Sequence, residues 1–351
     1  ARLLSVDDEE VQFRHPLVRS GVLQAETLSR RHAAHGAVAE VLTDPYRQAW
    51  HRSQAIIGPD DAVADELEAA VAVALSRGAV ISAIAGLERS AQLTSGSGRR
   101  GHRLLIAAEH AFGLGREDLV VRLVGEAAQT DLSELDSARM QWLREIFHDG
   151  IPGDAARVLE LCHLARLALE EGDRDLALNL LLGAALRCWW ADTGPDARAA
   201  VAQAVTELDE QDDPRWVAAL AVAEPVLAAN EVFERLDEIA LELVTDANAL
   251  RLLGMAAHAI GDTARASELL HRSEDLLRGE GRLGLLTQVL GMQVHIELEL
   301  GEWARADAAT AECIWLANET GQANWNTGAI AVDARSYALR GDAERALELA
   351  A

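Results

Sequence analysis

Every permanently cationic side chain in this 351-residue sequence is an arginine, because none of the 32 basic residues is a lysine. That removes the ammonium group on which a Walker-type phosphate loop, a Schiff base or a lysine general base depends. Only Ser95-Gly96-Ser97-Gly98-Arg99-Arg100 has the composition of a phosphate loop. It follows a helical run instead of a strand, and reads as a connection between two helices. His32 and His35 are three residues apart, so a helix sets them on one face, but no further ligand stands nearby at metal-binding spacing. Cys162 and His163 are adjacent and point two ways, which spoils a nucleophile–base dyad. Cys162, Cys188 and Cys313 are scattered without C-x-x-C and read as reduced core thiols. No H-E-x-x-H, G-x-S-x-G or paired-carboxylate pattern stands out. The residues describe a chain that is not an enzyme and carries no metal or cofactor of its own.

The eight tryptophans offer a ligand the most. An indole supplies a large apolar face with one hydrogen-bond donor. Trp189 and Trp190 project about 100° apart on a helix, so one buried direction cannot take both, and at least one is expected to be partly exposed on an inner surface. Trp303, Trp315 and Trp325 fall within regular repeats. Interhelical core and ligand groove both remain open as readings; the groove reading makes these five residues candidate contacts.

The elements that would position them are helices. Gly261-Asp262-Thr263-Ala264-Arg265-Ala266, Gly301-Glu302-Trp303-Ala304-Arg305-Ala306 and Gly341-Asp342-Ala343-Glu344-Arg345-Ala346 recur with a period of 40, and Gly172-Asp173-Arg174-Asp175-Leu176-Ala177 is a weaker copy. Gly takes the left-handed conformation that ends one helix, the acid caps the next, and the Ala four residues on permits close packing. This resembles the tetratricopeptide (TPR) class, with a period longer than its roughly 34 residues. Six of the seven prolines stand where helices would begin; Pro225 is expected to kink a helix over 214–229. The sequence thus predicts an all-α fold: a TPR-like superhelix of helical hairpins, an α-solenoid, over 53–351. A winged-helix-like unit of strand, short helix and longer helix over 1–52 precedes it.

Charge separates these two parts. The net charge is −25. Residues 1–52 balance seven arginines with seven acids, leaving 25 arginines against 50 carboxylates beyond them. So acidic a body repels phosphate backbones, and neither ATP nor duplex DNA is expected to bind. The longest apolar stretch, Leu176 to Ala191, is interrupted by Asn179 and Arg187 and is too short for a bilayer, so a cytoplasmic location without membrane contact is expected. A start on Ala1 and an end within a helical pattern read as a piece of something longer.

Val11-Gln12-Phe13-Arg14-His15-Pro16-Leu17-Val18-Arg19-Ser20, followed by Arg30-Arg31-His32-Ala33-Ala34-His35, resembles the winged-helix segment after the ATPase module of large ATP-binding LuxR-type regulators, members of the STAND signal-transduction ATPases. The stretch from Ala177-Leu178-Asn179 to Leu186-Arg187-Cys188-Trp189-Trp190-Ala191-Asp192 is similar to the helical middle of actinobacterial members. The resemblance implies a transcription regulator's sensor segment. Its effector would be a small molecule, peptide or protein, and its partner its own ATPase module. ATP or ADP would bind only that module, and DNA only a C-terminal helix-turn-helix; neither module is present here. Because such units work against their ATPase, DNA contact by Arg14, Arg19, Arg30 and Arg31 is not expected. For His15, with Arg14 beside it, the resemblance implies nucleotide sensing, because a winged-helix histidine reaches the β-phosphate of ADP in this class; the other reading is a histidine that caps or packs at the strand–helix corner. The alternative is a TPR-type assembly scaffold that binds only protein.

Overall fold

The computed structural model describes residues 4–6, 11–13, 16–145, 154–209 and 211–350. His15 and Arg14 lie outside the described residues. The chain divides into two compact units, residues 1–111 with 125–132, and residues 112–124 with 133–351.

In the first unit, strands β1 (Leu4–Val6) and β2 (Val11–Phe13) pair antiparallel, with Ser5 opposite Gln12. Helices α1 (Pro16–Ala25), α2 (Leu28–Val41), α3 (Pro45–Ala55), α4 (Asp61–Ser76), α5 (Val80–Leu93) and most of α6 (Ser97–Gly113) follow. Thr27, Asp44 and Asp60 start α2, α3 and α4 by accepting from the backbone N–H three residues on, each cap worth about 1 kcal/mol. Helix α3 packs on both α2 and α4, so helix packing runs unbroken through residue 52. Arg89 of α5 closes the other end of α3 by donating to the carbonyls of Ser53 (2.7 Å) and Ile56 (3.1 Å). The fully buried Arg103 of α6 donates to Glu68 from Nε (3.1 Å) and Nη2 (2.8 Å), and also to Asp65 and Thr94. Arg103→Met is expected to cost about 1–2 kcal/mol, below the cost of breaking a fully buried pair because both carboxylates reach water. A urea midpoint unchanged by the substitution would refute this.

The second unit holds part of α7 (Glu117–Ala127) and then α8 (Glu134–Glu145), α9 (Ala155–Glu170), α10 (Arg174–Trp190), α11 (Pro195–Thr206), α12 (Pro214–Ala223) and α13 (Ala229–Glu238). A 3-10 turn at Leu241–Leu243 precedes α14 (Ala247–Ala259), α15 (Thr263–Glu280), α16 (Leu283–Leu300), α17 (Trp303–Glu319), α18 (Ala323–Leu339) and α19 (Ala343–Ala350). Each helix from α8 on packs on its successor, and α8, α10, α12, α14, α16 and α18 also pack on one another in that order. They form one layer, and the odd-numbered helices cover its other side. This is an all-α, TPR-like superhelix of helical hairpins.

The turns are more regular than the period of 40 suggests. Gly261, Gly281, Gly301, Gly321 and Gly341 stand every 20 residues, all with φ between 69° and 85°. After each, the next N–H donates to the carbonyl five residues back at 2.8–3.1 Å, which satisfies a carbonyl left over at the helix end. Gly281 and Gly321 escape the sequence pattern because Arg282 and Gln322, not acids, follow them. The closely packing alanines Ala266 and Ala306 are buried. The weaker copy at Gly172 is out of phase: it opens α10, in the layer of α14 and α16, whereas the other three open α15, α17 and α19. Pro225 does not kink a helix. Helix α12 stops at Ala223, two residues ahead of the proline, because the residue before a proline is pushed out of the helical region.

Candidate functional site

Helix α10 ends on Trp189 and Trp190, and both indoles are open, at 42% and 41% exposure. The preceding Leu180, Leu181, Ala184, Ala185 and Cys188 take the buried directions, so the two rings fall on what remains of the helix surface. Trp189 meets His258 of α14 edge-on, with ring centroids 6.4 Å apart. His258 in turn lies 6.5 Å from His295 of α16. Trp190 meets Trp325 of α18 at 5.6 Å with an interplanar angle of 89°, the edge-to-face arrangement that the ring quadrupoles favour. Four layer steps of roughly 9 Å separate α10 from α18 along the stacking order. Contact between their rings therefore requires the layer to curl so that side chains meet across its inner side.

Trp325 is seated by a glycine. An added Cβ at Gly291 of α16 would stand 2.3 Å from Trp325 Cε3 and 2.6 Å from Cζ3. The indole lies directly on the helix backbone, a position only glycine leaves open. Burial pushes the proton affinity of His258 below the ordinary histidine value, with Glu299 opposing. For His295 burial acts the same way, assisted by His258 and Arg335 and again opposed by Glu299. Both imidazoles are neutral near pH 7, so each carries one donor and one acceptor nitrogen, and Nδ1 of His258 is buried without a partner. Indole faces with neutral hydrogen-bonding edges suit apolar and amide groups.

Of the five candidate tryptophans, the structure brings together Trp189, Trp190 and Trp325. Trp303 and Trp315 lie on α17, in the odd-numbered layer, at 38% and 59% exposure. Arg340 covers Trp303, its guanidinium carbon 5.1 Å from the ring centroid, and donates to Asp307 at 2.7 Å. Neither His258 nor His295 belongs to a sequence motif; only helical phasing against the tryptophans joins them to the cluster.

The connection over residues 95–98 and the thiol of Cys162 have structural roles. Ser95 donates from its backbone N–H and its hydroxyl to Asp61, and Ser97 Oγ accepts from the Asp131 N–H at 3.0 Å, so this connection spends its polar groups internally. Cys162 is buried while His163 is exposed. Burial pushes the Cys162 thiol up to about 11 and that of Cys313 up to about 12, which leaves both protonated and inert. A shallow open depression of about 480 Å³ at α13 and α15 is lined by Asp237, Asp262 and Glu268, but Arg265 already pairs with the first two at 2.7 and 3.0 Å. Among the described residues no helix is long and apolar enough to cross a membrane.

Neither a family model nor a curated relative matches this sequence. Two solved structures align over most of the chain. One is a Rap protein complexed with Competence and Sporulation Factor, at 12% identity and a TM-score of 0.30, covering 95% of this chain and 78% of that one. The other is the P58(IPK) TPR domain, at 14% identity and a TM-score of 0.20, covering 95% and 89%. Similarities that weak assign no ligand. The class is defined by the chain itself: an all-α, TPR-like superhelix with an aromatic–imidazole cluster on one layer.

Proposed function

We propose that this chain is a non-catalytic binding module that takes a peptide or an extended protein segment along the inner layer of its second unit. The observation that carries this reading is the convergence of Trp189, Trp190, His258, His295 and Trp325 from four helices with the indoles partly open. Open indoles flanked by a few fixed polar groups are anchors for an inserted side chain. The charge distribution supports it. Helices α10, α12, α14, α16 and α18 carry five arginines against four carboxylates, whereas α9, α11, α13, α15, α17 and α19 carry nine against sixteen. Among these helix residues the acidic excess falls on the odd-numbered helices, so the helices of the inner layer set no strong repulsion against a segment of either sign. A peptide selected against the whole chain from a display library should lose at least tenfold in affinity, about 1.4 kcal/mol, on Trp189→Ala or Trp325→Ala. Trp315→Ala should leave it unchanged. Equal affinity for all three variants in calorimetry would overturn the reading.

A second proposal refines the first: the module serves as sensor segment of an ATP-dependent LuxR-type regulator. The observation favouring it is that the resembling stretch 177–192 contains Trp189 and Trp190 of the cluster. The occupant would then shift the population between two arrangements of module and ATPase. ATP turnover by the chain joined to its ATPase should change when the selected peptide is added; constant turnover would leave the binding module alone.

A further inference from the structure

His35 of α2 and His51 of α3 bring their Nδ1 atoms to 3.0 Å from each other, with ring centroids 4.9 Å apart. A neutral imidazole carries its proton on one nitrogen and a lone pair on the other. Two Nδ1 atoms at this distance either share one proton or share a cation, because two lone pairs set face to face repel. At His35, burial lowers the proton affinity, with His51 and His32 adding to it; at His51, burial and then Arg47 do so. Neither ring is cationic near pH 7, the state in which histidine ligates metal. Both rings are half-buried, so one side of the pair stays open to solvent.

We propose that His35 and His51 form a two-imidazole site for a divalent transition-metal ion of tetragonal preference, Cu²⁺ or Ni²⁺. With metal–nitrogen bonds of about 2.05 Å, the 3.0 Å separation subtends about 94° at the ion. A tetragonal ion holds neighbouring ligands near 90°, whereas tetrahedral zinc at about 109° would need its nitrogens about 3.3 Å apart. The order of divalent affinities favours the same choice, with Cu²⁺ ahead of Ni²⁺ and Zn²⁺. Each neutral ring then carries its proton on Nε2, which leaves both Nδ1 lone pairs for the ion. Among the described residues no group of three His, Cys, Asp or Glu side chains can hold a metal, so water completes the coordination sphere. His32, one turn before His35, stays outside it. Arg47, one turn before His51, opposes the incoming cation and holds the affinity down. The ion clamps α2 to α3 in the folded state alone and therefore stabilises that hairpin.

The test is a Cu²⁺ titration of the whole chain in a weakly coordinating buffer, followed by electron paramagnetic resonance. One equivalent should bind ahead of the rest and show hyperfine splitting from two nitrogens. His35→Asn and His51→Asn should each weaken that first equivalent at least tenfold, while His32→Asn and His163→Asn leave it unchanged. Far-UV circular dichroism confirms that each variant is folded, and the nitrogen splitting of the unaltered chain is a readout that needs no variant. Uptake that both His35→Asn and His51→Asn leave unchanged would mean adventitious binding at other histidines and overturn the site. A signal from one nitrogen, or from oxygen alone, would overturn it equally.

Discussion

Gly291→Ala is expected to lower the stability of the second unit and weaken peptide binding together, although alanine is the better helix former. At an open helical position the exchange gains about 1 kcal/mol. Here the new Cβ would stand 2.3 Å from Trp325 Cε3, whereas carbon atoms rest at about 3.5–4.0 Å, so the ring must move by more than an ångström. Overpacking of that kind costs about 1–3 kcal/mol. Losing the edge-to-face contact between Trp325 and Trp190 costs roughly 0.5–1.5 kcal/mol more. The losses exceed the gain, and the net expectation is about 0.5–3.5 kcal/mol of destabilisation, read as a lower urea midpoint with an altered tryptophan emission. Gly328→Ala on α18 is the control. Nothing lies within 4 Å of a Cβ there, so that substitution should raise the midpoint. A higher midpoint for Gly291→Ala as well would show that the Trp325 indole is not held against α16.

The helices were legible because their ends are written in local chemistry. An acid that caps a first turn and a glycine that closes a last one act within five residues, and the sequence displays both at Gly261-Asp262 and Gly341-Asp342. The layer to which a helix belongs is not local, and the Gly172 motif shows the consequence. Its turn has the same chemistry as the others, with Asp173 accepting from the Leu176 N–H at 3.0 Å, yet the helix it opens stacks in the opposite layer. The cluster was half legible for the same reason. Adjacent Trp189 and Trp190 announce an exposed indole by helical geometry alone. That Trp190 would touch Trp325, 135 positions on, depends on the accumulated curl of the intervening hairpins, which no spacing encodes. Helix α17 sits one hairpin step from α18, yet its two tryptophans face elsewhere. His51 is invisible as a partner of His35 because it stands on the next helix, beyond a turn whose direction no local spacing encodes.

Stability is expected to fall as the pH drops from about 7 to 5.5. Burial, the first cause in each case, holds His35, His51, His110, His258 and His295 below the ordinary value of 6.5. The unfolded chain regains that ordinary value and binds more protons in this window than the folded chain does. Stability is therefore fully present above about pH 6.5 and is lost as pH falls from there towards the depressed folded values, at most about 1.4 kcal/mol per pH unit for each of His110, His258 and His295 and less for His35 and His51, which solvent screens. Two effects oppose it. Protonating carboxylates relieves the self-repulsion of a chain with a net charge of −25, but their ordinary values of 3.8 to 4.5 place most of that relief below the window. Asp333, raised by burial and by Asp307, gains stability as pH falls, and it is one group against five. Calorimetric melting at pH 7.5, 6.5 and 5.5 and constant ionic strength should show Tm falling with each step; a flat Tm would mean that these imidazoles reach water in the folded chain. Because His258 and His295 belong to the inner cluster, a peptide that covers them desolvates both rings further. Its affinity should fall over the same window, and calorimetry in two buffers of different ionisation enthalpy at pH 6 should register protons released on binding.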